Sequence, residues 1–107
     1  MAKFLAKAKY TAPGGVKGLI ADGGSARVKA VSDLMTSVGG KLESFYFAFG
    51  EHDAYVVIDA PDNASVAAAS LAIAATGSVH TKTMVLLTPE EIDQATKKGI
   101  IYQPPGH

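Results

Sequence analysis

A chain of 107 residues and 11.0 kDa suits one domain and not two. Hydrophobic residues make up 48% and charged residues 19%, a balance that excludes an intrinsically disordered chain. Ten basic residues offset ten acidic ones at a pI near 6.8, which leaves no basic field for nucleic acid or an anionic membrane, and the absence of cysteine removes disulfides, thiol nucleophiles and thiolate metal sites.

Lysines at positions 3, 7 and 9 interrupt the apolar residues of the opening segment, so it reads neither as a signal peptide nor as a membrane span, and a cytoplasmic domain is expected. Residues 3–11 alternate as a strand, with Phe4, Ala6, Ala8 and Tyr10 on one side and Leu5, Lys7 and Lys9 on the other. Pro13-Gly14-Gly15 stops it. The apolar rhythm then changes to spacings of three and four from Val16 to Val38, which means helix. Gly23-Gly24 is costly inside a helix, so a short first helix, a break and a restart with Ser25 as N-cap are expected, ending at Gly39-Gly40.

Residues 41–49 return to strand composition, with Phe45, Phe47 and Phe49 on one face and Leu42, Tyr46 and Ala48 on the other. Gly50-Glu51-His52-Asp53 reads as a tight connection into a second strand over 54–60, the two forming a hairpin. Asp62 or Asn63 then caps an Ala-rich helix near 64–76, whose small side chains let it lie close on a sheet. A fourth strand is expected over 79–87. Thr88-Pro89-Glu90-Glu91 is a capping box with Pro at N1, opening a helix to about Lys98 that Gly99 ends. The order β-α-β-β-α-β plus a terminal helix predicts one α+β domain over residues 1–107, a ferredoxin-like antiparallel sheet with helices on one face.

Both faces of these strands carry large apolar side chains, yet two helices cover only one face. An open aromatic face on a small protein is an association liability, so a homodimer with sheets packed face to face is expected, the tail from Ile100 reaching towards the partner. The alternative is that the C-terminal helix and tail fold across the second face of their own sheet.

The run Phe47-Ala48-Phe49-Gly50-Glu51-His52-Asp53 resembles the GYD domain family of small bacterial and archaeal proteins. The resemblance continues in Lys9-Tyr10-Thr11 with Gly15-Val16-Lys17-Gly18-Leu19, in Gly39-Gly40-Lys41-Leu42-Glu43-Ser44-Phe45-Tyr46, and in Leu86-Leu87-Thr88-Pro89-Glu90-Glu91. Tyr102-Gln103-Pro104-Pro105-Gly106 looks like the family's end. Where the family's turn usually has Tyr before the Asp, this chain has His52, so no phenol is supplied there. The resemblance implies a dimeric α/β-barrel type of fold and brings no established reaction with it.

Among candidate site residues, His52 beside Asp53 suggests an acid/base group next to a carboxylate, against a bland reading in which Asp53 shapes the turn and His52 is exposed. Lys7 and Lys9 share a face of a central strand whose neighbour carries Tyr55 and Asp59. A polar cluster inside an apolar barrel, or an ion pair holding the interface, would result. His52, His80 and His107 have no metal-ligand spacing, so no metal is expected, and no cofactor fingerprint is present. Gly23-Gly24-Ser25-Ala26-Arg27 offers a helix start and an arginine to an anion, although an ordinary helix break explains it more simply.

Three functions follow as expectations. One is a binding module for a small, mostly apolar or aromatic molecule between sheet and helices or at the dimer interface, with Tyr46, Tyr55, His52 and Lys7 as polar contacts. Another is a cofactor-independent enzyme like the monooxygenases, isomerases and cyclases of dimeric α/β-barrel type, with His52, Asp53 or Tyr55 as base or donor. The third is an assembly protein whose sheet face is filled by its partner.

Overall fold

The computed structural model describes residues 1–106; His107, the third of the histidines considered above, lies outside them. The elements run β1 (Ala2–Tyr10), α1 (Gly14–Asp22), α2 (Gly24–Ser37), β2 (Lys41–Phe47), β3 (Ala54–Ala60), α3 (Asn63–Ala75), β4 (Val79–Leu86) and α4 (Pro89–Thr96). The strands form one antiparallel sheet in the order β2-β3-β1-β4, with β1 and β3 central. This is the ferredoxin-like α+β arrangement that the order of elements implied. None of the helices among the described residues is long and apolar enough to cross a membrane.

Period-2 alternation sorts the strand residues. Phe4 of β1 with Val56 and Ile58 of β3 are buried, and they meet Met35 of α2 together with Val66 and Ala69 of α3. Met35, 2% exposed, is the largest side chain taken fully out of water. Burying a side chain of this kind contributes about 1.5–3 kcal/mol.

The structure corrects two local expectations. The helix break lies at Gly23, whose φ of 80° only glycine adopts readily, and its N–H closes α1 by donating to the Leu19 carbonyl at 2.8 Å. The second helix therefore restarts at Gly24, with Gly23 rather than Ser25 in the cap position. In β2, a bulge between Leu42 and Ser44 breaks the alternation, so Leu42 and Phe45 both pack on the core instead of facing opposite ways. A strict period-2 count cannot carry across an inserted residue. The two helix caps read from sequence hold: Asp62 Oδ1 accepts from the Ser65 N–H at 2.8 Å, and Thr88 and Glu91 complete their reciprocal box.

The C-terminal arm does not fold across the second face. Every residue from Pro89 to Gly106 is exposed, including Ile92, Ile100, Ile101 and Tyr102. The radius of gyration is 17.0 Å, against about 13 Å for a compact chain of this length. The sheet face opposite α2 and α3 is thus left open by its own chain.

Candidate functional site

Strand register builds the open face row by row. Leu5 stands across from Val57 on one side and Met84 on the other, an apolar row through the middle. The next row holds Tyr46, Tyr55, Lys7 and Lys82 in lateral order across the sheet. Lys9 and His80 follow at one end, Lys3 and Asp59 at the other.

The structure therefore brings Lys7, Tyr46 and Tyr55 together as expected, but it separates Asp59 from them. Asp59 pairs with Lys3, whose Nζ reaches Asp59 Oδ1 at 3.0 Å and Glu43 Oε2 at 2.7 Å. The hydrogen bond to Glu43, then that to Asp59, holds the Lys3 ammonium above its ordinary pKa of 10.5. Asp59 is thus not the carboxylate that meets Lys7. Neither Lys7 nor Lys82 makes an ion pair among the described residues.

His52 and Asp53 part company as well. The Tyr10 backbone N–H donates to Asp53 Oδ2 at 2.9 Å, and Lys9 Nζ approaches Oδ1 at 3.4 Å. The Asp53 N–H donates to the Ala8 carbonyl at 2.8 Å and its own carbonyl accepts from the Ala48 N–H at 2.8 Å. Asp53 thereby ties the hairpin turn to the end of β1, and none of these bonds is made to His52. His52 is not exposed, as the bland reading supposed. It is 7% exposed, with its ring edge-on to Tyr55 at a centroid distance of 6.2 Å. A polar aromatic ring is thus packed beside the tyrosine row.

The hollows of the fold lie on the other side of the sheet. Between Phe4 and Tyr10, β1 presents the small Ala6 and Ala8 to the helices there, and α3 sets Ala69 and Ser70 among Val66 and Ile73. Small residues on both walls leave a space of about 70 Å³ beneath the helices. A groove of about 300 Å³ adjoins it among α1, α2 and the end of α3. Tyr10, Arg27, Leu34, Ile73 and Val79 line both spaces. Lys7, Lys9, Tyr46, Tyr55 and Asp59 line neither, nor does His52.

Sequence reasoning weighed Arg27 only as a helper at a helix start and did not single out Ser70, Thr81 or Thr83. A signal for the threonines was present. Alternation from Val79 puts Thr81 and Thr83 on the face that carries the helices, Thr81 half-buried and Thr83 exposed at the sheet edge.

No curated protein matches the chain. The GYD domain family model, by contrast, matches residues 4–96, from the first core residue of β1 to the end of α4, leaving the Pro104-Pro105 tail outside the match. With most of its length covered, including the hairpin turn at His52 and Asp53, the chain belongs to the GYD domain family.

Proposed function

We propose that the chain is a cytoplasmic homodimer, closed through the open face of its sheet, that binds a small, mostly apolar molecule between sheet and helices. One observation carries the ligand part: the inner space of about 70 Å³ and the outer groove of about 300 Å³ meet along a shared, largely apolar wall. Protein interiors leave few voids larger than a water molecule. Small-molecule sites occupy roughly 300–1,000 Å³ and set a few polar groups in an apolar lining, which the outer groove and its Arg27 wall match. Saturable stabilisation of the full chain by small apolar molecules in thermal denaturation tests this. Ser70→Leu, which fills the inner space from α3, should abolish the effect without unfolding the protein. Binding that survives the filled space would place the site elsewhere.

The dimer rests on a separate observation. The Leu5, Val57 and Met84 row is left uncovered while the arm from Pro89 onward is held out from its own body with Ile92, Ile100 and Ile101 exposed. Charge also suits a second copy: the open face carries Lys7, Lys82 and Lys9, and α4 carries Glu90, Glu91 and Asp93. Sedimentation equilibrium should give twice 11.0 kDa, and a clean 11.0 kDa species at micromolar concentration would remove the dimer.

A further inference from the structure

Arg27 is the one polar group in the shared wall that the fold leaves at a loss. It sits in the first turns of α2 and lines both the inner space and the outer groove. Its Nε is buried and has no hydrogen-bond partner, and it is the only such side-chain atom among the described residues. The side chain makes no ion pair among the described residues. The residue as a whole is half-buried, and a guanidinium has donors but no acceptor, so the buried Nε–H is left facing the wall with nothing to receive it. Leaving a buried donor unmade is costly, and more so when the group is charged. The fold bears this cost at a point where two cavities join.

Resting on the binding-module reading above, we infer that the ligand is a slender monocarboxylic acid, its carboxylate held by Arg27 and its hydrocarbon part laid against Leu34, Ile73 and Val79. A carboxylate presents two oxygens in one plane, and the guanidinium fork meets them with two parallel hydrogen bonds, including one from Nε. Leu34, Ile73 and Val79 share the wall with Arg27, so head and tail of one molecule are accommodated together.

Charge selects a single negative group over a phosphate. Arg27 is the only cationic side chain on either lining, and Asp22 lines the outer groove with it. A doubly charged head would meet one cation and suffer twice the repulsion from Asp22. Size selects a chain over a ring at the inner end: a dry cavity of about 150 Å³ takes benzene, and the inner space is about 70 Å³. An unbranched alkyl end enters where an aromatic ring does not. Ser70, Thr81 and Thr83 offer hydroxyls along the same lining, and these can meet a carboxylate oxygen or its water.

The test compares octanoate with octan-1-ol on the full chain at pH 7, by calorimetric titration and thermal denaturation. Octanoate should bind saturably and at least tenfold more tightly than the alcohol. In Arg27→Met, which keeps a flexible unbranched stem and removes the guanidinium and its charge, the preference should vanish while the alcohol still binds. The variant without ligand should melt at or above the parent temperature, since an unpartnered buried donor has gone. Equal binding of acid and alcohol by the parent overturns the carboxylate inference and leaves the binding module standing. Binding of neither compound overturns both. Failure of Arg27→Met to fold, or loss of stability in Asp22→Asn, would show that Arg27 is matched within the protein, and the inference falls.

Discussion

Lys7 stands directly across the β1–β4 ladder from Lys82, two ammonium-bearing side chains in one row of the open face with no carboxylate paired to either among the described residues. Like charges facing each other across strands destabilise a sheet by an amount comparable to the roughly 0.2–1 kcal/mol that favourable cross-strand pairs contribute. Tyr55 occupies the other side of Lys7, and Asp59, the acid that sequence order suggested as its partner, is taken by Lys3. Lys7→Met should therefore leave urea-unfolding stability unchanged or raise it by up to about 1 kcal/mol. A loss of several kcal/mol would mean that an acid from elsewhere, such as the arm of a second copy, neutralises Lys7 in the protein as it exists.

The dimer makes its own forecast at Val57. This residue lies on central β3, faces away from the helices, and has Leu5 across from it. Val57→Lys should leave the core of Phe4, Met35 and Ile58 intact, because its side chain lies on the opposite face of the sheet. In the assembly it sets two further positive charges into an apolar contact. Sedimentation should then show the 11.0 kDa chain with an unchanged far-UV spectrum. Deleting residues 100–107 should weaken association by a smaller factor, since extended proline-rich segments lose little freedom on docking. A dimer as tight as the parent's in both variants removes the sheet-face interface.

Much of this fold was legible because its signals are local. The alternation of Phe4, Ala6, Ala8 and Tyr10, the Thr88–Glu91 box and the Asp62 cap depend on neighbours in sequence, and each forms where expected. The bulge at Leu42 was not legible, since a single inserted residue leaves no mark in composition. The site is a harder case. That Lys3 rather than Lys7 meets Asp59 is a matter of register between strands some fifty residues apart, and a shift of four residues would put Lys7 across from Asp59 instead. The hollow beneath α3 depends on small residues from β1 and α3 coinciding in space, which neither segment announces alone.

Two glycines give opposite outcomes on substitution by alanine. Gly40 enters β2 so close to β3 that an added Cβ would lie 2.6 Å from the Asp59 carbonyl oxygen and 2.9 Å from Met35 Cε. Backbone cannot yield as a side chain can, so Gly40→Ala should cost at least about 1–3 kcal/mol, the range for overpacked sites. Gly18 lies inside α1 with nothing within 4 Å of an added Cβ. Gly18→Ala should stabilise by roughly 0.5–1 kcal/mol, because alanine loses less backbone freedom in a helix. Chemical denaturation of the pair checks both signs, and equal effects would refute the packing described at Gly40.

Stability should fall at both ends of the pH scale through identifiable groups. The Ser65 N–H, donated to Asp62 at the start of α3, holds this carboxyl below its ordinary value of 3.8. A group whose pKa is lower folded than unfolded stabilises the protein above the unfolded value and loses that contribution as pH drops through the folded one. Asp62 thus supports α3 at neutral pH and ceases to do so in acid below about pH 4. Lys3 is the mirror case. Glu43 and Asp59 raise its pKa above 10.5, so its contribution is complete below that value and disappears as pH climbs through the raised one. Asp62→Asn separates cap geometry from titration, since asparagine accepts the same N-cap hydrogen bond and does not ionise. The variant should match the parent closely near neutrality and show a shallower loss of melting temperature between pH 5 and 2. Parallel melting curves for the two proteins across that range would show that another carboxylate governs the acid limb.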